Sequence, residues 1–286
     1  MKHRIDPLIA ERAPWLYGDR PGTRAARRAL HKMLGYDTTI EIAEILENEP
    51  AAKIMAAMGT RLAQTVSASG LANVPAHGPA LIVANHPTGI ADGIVLNHLL
   101  MQRRRDAYFF ANRDILRVFP QMDAMIAPVE WRKDQRSHGK TRETMAYVRE
   151  ATEAGRLGVI FPAGRLAKRR GLRLFERPWM ASAAMLARKF DLPVIPVNIQ
   201  ARNSVLFYLF DVMHPTLRDI TLFHETLNKA RQPFVVTVGE PISAASIPKN
   251  SEDGIEMLRR ATLALGGKDA PTVNLLKASR SWLKAS

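Results

Sequence analysis

Cysteine is absent from the 286 residues. There is thus no disulfide framework, no cysteine nucleophile and no thiolate metal site, which fits a reducing compartment. Long apolar runs are missing too. No window reaches the ~18 uninterrupted apolar residues of a membrane-spanning helix; the richest stretch, Ala80 to Met101, is broken by Asn85, His86, Pro87, Asp92 and Asn97. The start, Met1-Lys2-His3-Arg4-Ile5-Asp6-Pro7, carries early charge with no apolar stretch behind it, so a secretory leader is not expected. Several catalytic signatures are lacking: no G-x-S-x-G elbow, no Walker A loop, no G-x-G-x-x-G after a strand and no H-E-x-x-H. The eight histidines are scattered, so neither a metal nor a resident cofactor is expected. Aromatics are 7% and do not interleave with basic residues as a nucleic-acid platform requires, so no nucleic acid is expected as partner. Acid is scarce: 27 Asp and Glu against 41 Lys and Arg leave a net charge of +14. Such a surface attracts anions, among them lipid headgroups and acidic carrier proteins.

What is present reads as globular. Hydrophobic residues are 47% and charged residues 24%, and the chain is long enough to bury a sizeable core. Residues 1–37 are polar and basic, interrupted by Pro7, Pro14 and Pro21. Thr38-x-x-Glu41 predicts a capping box, Ile42, Ile45 and Leu46 follow at helical spacing, and Pro50 stops the run. A second helix is predicted from Ala51 to about Val66. Residues 1–70 thus form an N-terminal helical region, able to dock on a membrane.

After Gly78-Pro79 the texture alternates. Apolar runs at Ala80–Ala84, Tyr108–Phe110, Ile126–Val129, Leu157–Phe161, Val194–Ile199 and Phe234–Val238 read as buried strands. Helical patterns lie between and after them, at Asp92–Met101, Thr141–Ala154, Pro178–Phe190, Thr216–Asn228 and near Ser251–Leu265. The fold class is therefore α/β, with a mixed, largely parallel sheet covered by helices over residues 71–265. Residues 266–286 read as a loosely held basic tail.

Chemistry is expected beyond the carboxyl ends of strands in such a sheet. Two segments qualify. In Leu81-Ile82-Val83-Ala84-Asn85-His86-Pro87-Thr88-Gly89-Ile90-Ala91-Asp92, a strand runs into His86, a turn, and Asp92 at a helix start. A turn that returns Asp92 to one imidazole nitrogen fixes the tautomer and makes the other nitrogen a general base. The plainer alternative is a strand-end histidine and a helix-capping aspartate. In Leu157-Gly158-Val159-Ile160-Phe161-Pro162-Ala163-Gly164-Arg165, Gly164 permits backbone approach to a ligand and Arg165 suits an anionic oxygen pair. If the two strands are parallel, both loops open on one edge. Lys168, Arg169, Arg170, Arg173 and Arg177 follow with Glu176 as the only acid; they form either a solvated loop or a contact for an anionic partner. Arg103-Arg104-Arg105 reads as a helix terminus, and Phe109, Phe110, Phe207, Tyr208 and Phe210 as core.

Together these residues resemble the PlsC-like glycerolipid acyltransferases over roughly residues 75–240. Asn85-His86-Pro87 through Asp92 is similar to that family's His-x4-Asp box, with five intervening residues here. Val129-Glu130-Trp131-Arg132 is similar to the block that supplies an acceptor-binding arginine, Phe161-Pro162-Ala163-Gly164-Arg165 to Phe-Pro-Glu-Gly-Thr-Arg, and Val194-Ile195-Pro196-Val197 to the apolar proline-containing strand. Ala163 stands where the common family has Glu, and the Thr is missing. With Ala201-Arg202-Asn203-Ser204-Val205-Leu206-Phe207-Tyr208, the pattern resembles the branch of bacterial aminolipid O-acyltransferases, which includes the lyso-ornithine-lipid acyltransferase OlsA and the related enzyme for sulfur-containing aminolipids.

The resemblance implies an enzyme that moves a fatty-acyl chain from acyl carrier protein or CoA, as co-substrate, to the hydroxyl of a lyso-lipid, an aminolipid in this branch. His86 is the implied base and Asp92 its orienting partner. Arg132, Gly164, Arg165 and Arg202 are the implied substrate-binding residues, with Glu176 supplying the carboxylate that Ala163 lacks. It also implies peripheral attachment to an anionic membrane surface, on the inner face of the cell membrane. Alternatives are a lysophosphatidate-type acyltransferase, a hydrolase using the same pair on water, and a non-catalytic basic module that binds lipid or nucleic acid.

Overall fold

A computed structural model describes residues 1–18, 21–130 and 137–280. The chain opens with four helices, α1 (Lys2–Arg12), α2 (Pro21–Leu34), α3 (Tyr36–Ile45) and α4 (Ala51–Leu62). Then come β1 (Val66–Ser69), β2 (Ala80–Ala84), α5 (Ile90–Leu100), β3 (Tyr108–Asn112), α6 (Asp114–Val118), β4 (Ile126–Val129), α7 (His138–Glu153) and β5 (Leu157–Ile160). They are followed by β6 (Lys168–Arg170), β7 (Arg173–Phe175), α8 (Ser182–Lys189), β8 (Val194–Gln200), α9 (Val205–Met213), α10 (Pro215–Asn228) and β9 (Phe234–Val238). α11 (Ser251–Ala264), β10 (Thr272–Asn274) and α12 (Lys277–Arg280) close the described chain.

Seven strands form one sheet in the order β1-β9-β8-β2-β5-β3-β4. Every neighbouring pair is parallel except β8 with β9. The expected mixed, largely parallel α/β sheet is thus the fold. β2 shows why both faces must be covered. Its side chains alternate, and all five residues are buried. Ala80, Ile82 and Ala84 join a core with residues of α4 and α5, such as Ile54 and Leu96. Leu81 and Val83 join the opposite core with Val148 of α7, Ala183 of α8 and Leu258 of α11. Each such aliphatic side chain contributes ~1.5–3 kcal/mol on burial, so the strand that leads to His86 is firmly seated.

The N-terminal helices pack inward on their apolar side. Ile5, Leu8, Leu34 and Ile40 share a cluster with Phe210 of α9 and Ile220 of α10. No helix among the described residues is long and apolar enough to cross a membrane.

Several local expectations are corrected. α3 begins at Tyr36, so Thr38 and Glu41 lie inside it and form no capping box. Gly35, at φ +67°, adopts the left-handed conformation between α2 and α3, and Thr39 Oγ1 donates to its carbonyl at 3.1 Å. The helix predicted to Val66 ends at Leu62, because Val66 pairs with Phe234 and becomes the first residue of β1. Residues 66–69 of the N-terminal region therefore belong to the sheet. α8 starts at Ser182 rather than Pro178; Met180 N donates to Pro162 O at 3.0 Å, which holds the preceding segment against the β5 loop. The charge run at Lys168–Arg177 is a hairpin, not a loop, and β10 from the supposed tail completes its three-stranded sheet. Leu174 and Val273 form a small core there with Leu275 and Ala278. Arg104 is buried, bridging Asp106 and the carbonyls of Pro75, Gly78 and Gly155, so its cluster does more than end a helix.

Candidate active site

β2 and β5 run parallel, so the loops bearing His86 and Gly164 open on one edge, and β8 runs parallel to β2 and brings its own exit to the same place. Asn85 locks that exit. Its amide exchanges two hydrogen bonds with the backbone of Ile199, at 2.9 and 2.7 Å, in the manner of one more ladder pair.

His86 follows immediately. Its Nδ1 lies 3.0 Å from Asp92 Oδ2, with the His86 side chain 18% exposed and Asp92 fully buried. The carboxylate lies off the N–H axis of the ring, so the contact is a close polar approach rather than a linear hydrogen bond. Nε2 has no protein partner among the described residues. Between His86 and Asp92 the chain bends at Pro87, Thr88 and Gly89. Gly89 sits at φ +95°, where a Cβ would meet Leu166 at 3.2 Å, so glycine alone suits it. Asp92 Oδ2 accepts from Thr88 N at 2.9 Å and Gly89 N at 3.0 Å, and Oδ1 accepts from the Thr88 hydroxyl. These donors lie at and just before the N-cap Gly89, while Asp92 stands in the first turn of α5, whose N-terminal dipole also favours the negative charge. One carboxylate therefore caps the helix and faces the imidazole: the two sequence alternatives coexist.

The Phe161 ring stacks on His86, with centroids 4.3 Å apart. Phe161 O accepts from Gly164 N at 2.9 Å and closes the turn, leaving Gly164 at φ +61°. Ala163 is buried among apolar side chains. Glu176 is brought to the site by the hairpin: its Oε2 accepts from His86 N at 3.2 Å and its Oε1 from Trp179 Nε1 at 3.1 Å. Burial pushes its carboxyl above the usual carboxylate range, against the opposing effect of these donors. A cleft of about 490 Å³ opens beside Glu176 and Trp179, with Glu252, Glu256 and Arg259 of α11 on its other wall. His86 does not line it; the dyad faces the sheet edge instead.

Arg165 is exposed on the adjoining loop and has no side-chain partner among the described residues. Arg202, after β8, is half-buried and donates to Asn203 O at 3.4 Å. Its carbonyl accepts from Lys229, whose fully buried ammonium also donates to Asn203 Oδ1 at 2.6 Å, Glu225 Oε2 at 2.7 Å and Gln232 Oε1 at 3.0 Å. Burial pushes the Lys229 amine down and Glu225 pulls against it; the charge of Asp92 is felt there too. Glu130 is buried and paired with Lys140 at 2.9 Å, while Arg132 lies outside the described residues. Among the described residues, no group of three or more acidic or histidine side chains converges to hold a metal. Sequence reasoning missed Thr88, Trp179 and the Lys229 network. Only Thr88 left a trace, as the hydroxyl inside the His–Asp turn.

Comparisons with known proteins bear on this edge. Residues 65–200, which carry His86, Asp92, Gly164, Arg165 and Glu176, match the family described as Acyltransferase. The chain is similar to the Lyso-glycine lipid O-acyltransferase of Phocaeicola vulgatus, 24% identical over 183 residues, and to that of Bacteroides thetaiotaomicron, 22% identical over 191. These matches cover 62% and 65% of this chain and 64% and 68% of those proteins. The crystal structure of the 1-acyl-sn-glycerophosphate (LPA) acyltransferase PlsC from Thermotoga maritima overlaps 85% of this chain and 96% of its own, with a TM-score of 0.49 and 12% identity. The segment that bears the dyad is thus similar to the acyltransferase family.

Proposed function

We propose that this protein is an O-acyltransferase that moves a fatty-acyl chain from an acyl thioester, on acyl carrier protein or CoA, to the hydroxyl of a lyso-aminolipid at a membrane surface. The observation that carries the reading is the 3.0 Å approach of His86 Nδ1 to buried Asp92, in a partly exposed imidazole whose Nε2 has no protein partner among the described residues. Nε2 takes the proton of the acceptor hydroxyl as its oxygen attacks the thioester carbonyl. The new C–O bond forms, the C–S bond breaks, and the imidazolium returns the proton to the leaving thiolate. Asp92 balances the transient positive charge. No covalent acyl-enzyme is needed, in keeping with a chain that has no cysteine and no serine elbow. Arg165, exposed on the neighbouring loop and without a side-chain partner among the described residues, meets an anionic group of donor or acceptor. Gly164 lets the backbone come close, and Arg202 follows the exit of β8 beside it. The aminolipid choice is supported by the two relatives' names and by Ala163, which gives up the family's carboxylate to apolar packing while Glu176 stands beside His86.

Purified protein is to be given acyl thioester and lyso-lipid acceptors, and the products read by mass spectrometry. His86→Ala should lower transfer by ~10²–10⁴-fold, the range of a lost general base, with the fold retained because the side chain is partly exposed. Transfer to lysophosphatidate in preference to a lyso-aminolipid would change the acceptor. Thioester hydrolysis indifferent to acceptor would replace the reaction.

A further inference from the structure

α9 leaves the sheet edge that carries the dyad, five residues beyond the end of β8. Phe207 and Phe210 are buried. The other face is bare: Val205, Leu209, Val212 and Met213 are 77%, 54%, 67% and 61% exposed. Their i, i+4, i+7, i+8 spacing makes one stripe, and none of them joins a packed cluster among the described residues. A single exposed leucine is ordinary, but four large apolar side chains in register need an occupant.

The stripe has a neighbour. Tyr208 packs α9 against the small core of the β6–β7–β10 sheet. That sheet also exposes apolar groups, Leu172 at the hairpin turn by 58% and Leu276 beyond β10 by 52%. Around them stand Arg165, Lys168, Arg170 and Arg173, all exposed and none with a carboxylate partner among the described residues. Apolar residues ringed by unpaired cations match an anionic bilayer, where apolar groups sink to the acyl boundary and cations meet phosphate oxygens. A second copy of the chain would cover the stripe but leave those cations facing like charge. The N-terminal helices are less suited, since Ile5, Leu8, Leu34 and Ile40 turn inward to Phe210 and Ile220, and the large apolar residues left exposed there, Trp15, Met33 and Ile45, stand singly on separate segments.

We propose that the α9 stripe, with the hairpin tip and its cations, is the face on which the protein lies against anionic lipid, setting the edge that holds His86 toward the bilayer. This deepens the lyso-lipid reading and rests on it for the source of the surface.

The test uses the full chain and vesicles of phosphatidylcholine with and without phosphatidylglycerol, read by sedimentation. The variants are Leu209→Glu/Val212→Glu, the milder Leu209→Ser/Val212→Ser, Lys168→Glu/Arg170→Glu, and Arg28→Glu/Lys32→Glu on α2 as comparator. Both α9 pairs should weaken binding to anionic vesicles, the Glu pair by about tenfold or more. The hairpin pair should also flatten the salt dependence, and the α2 pair should change little. Transfer to a short-chain acceptor held as monomers should persist in the α9 variants, while transfer to the same headgroup embedded in vesicles falls with binding. If no lyso-lipid is acylated yet the α9 pairs still abolish vesicle binding, the docking face stands and the acceptor reading fails. The proposal is overturned if the wild type ignores anionic vesicles, if only the α2 pair matters, or if the wild type is a dimer that the α9 pairs split.

Discussion

The Asp92 carboxylate draws its donors from a single turn, Thr88 N, the Thr88 hydroxyl and Gly89 N, while facing His86. Asp92→Asn would aim amide hydrogens at one or more of these donors and remove the countercharge of the imidazolium. Stability should fall by ~1–3 kcal/mol, read by denaturant titration, and turnover should fall strongly with the acceptor KM little changed. Unchanged turnover would remove Asp92 from the mechanism. Glu176 makes a prediction about pH. Its folded-state affinity for the proton is raised by burial, so its contribution to stability is fully present below its unfolded value and is lost as pH rises through the raised one. As pH rises from the usual carboxylate range through that raised value, the stability of Glu176→Gln should therefore improve relative to wild type. The fixed loss from the amide's mismatched hydrogen bonds cancels from that slope, and a flat difference would count against the buried carboxyl. At this scale the dyad was legible, because its two members lie in one strand-turn-helix segment. Phe161 and Glu176 touch His86 across long sequence separations, and no local pattern encodes such contacts.

Elements with long apolar runs were readable, and those without were not. β2, β4 and β9 have the predicted bounds, since buried strands need consecutive apolar residues. β6 and β7 were hidden because each has three residues and Leu174 is the one fully turned into the core. α9 was read only as core aromatics; its apolar run lacks the polar face that marks a helix, because its outer stripe is apolar too. The exit of β8 is tied to α10 by Lys229, which is fully buried with Glu225. Lys229→Met leaves Glu225 as an unpaired buried charge and should cost ~3–5 kcal/mol by denaturant titration. Adding Glu225→Gln, which removes the charge but keeps an acceptor for Ser204 N and its hydroxyl, should recover part of it; additive losses would show that the ion pair is not what holds the exit.

For the whole molecule, the excess of +14 sets the behaviour toward charged surfaces. Sedimentation with anionic vesicles should weaken steadily as salt rises from about 50 to about 500 mM, because screening shortens the reach of surface cations. Salt-independent binding would show that charge is not the driver. Composition and periodicity determined the charge excess, the α/β class and the strand end at which His86 stands, since these depend on residues near one another in the chain. The tertiary structure alone decided that β2 lies between β8 and β5, that Glu176 comes up under the backbone of His86, and that α9 keeps an apolar stripe uncovered. Each depends on which distant segments share space, a choice made by the packing of the two faces of the sheet rather than by any local run of residues.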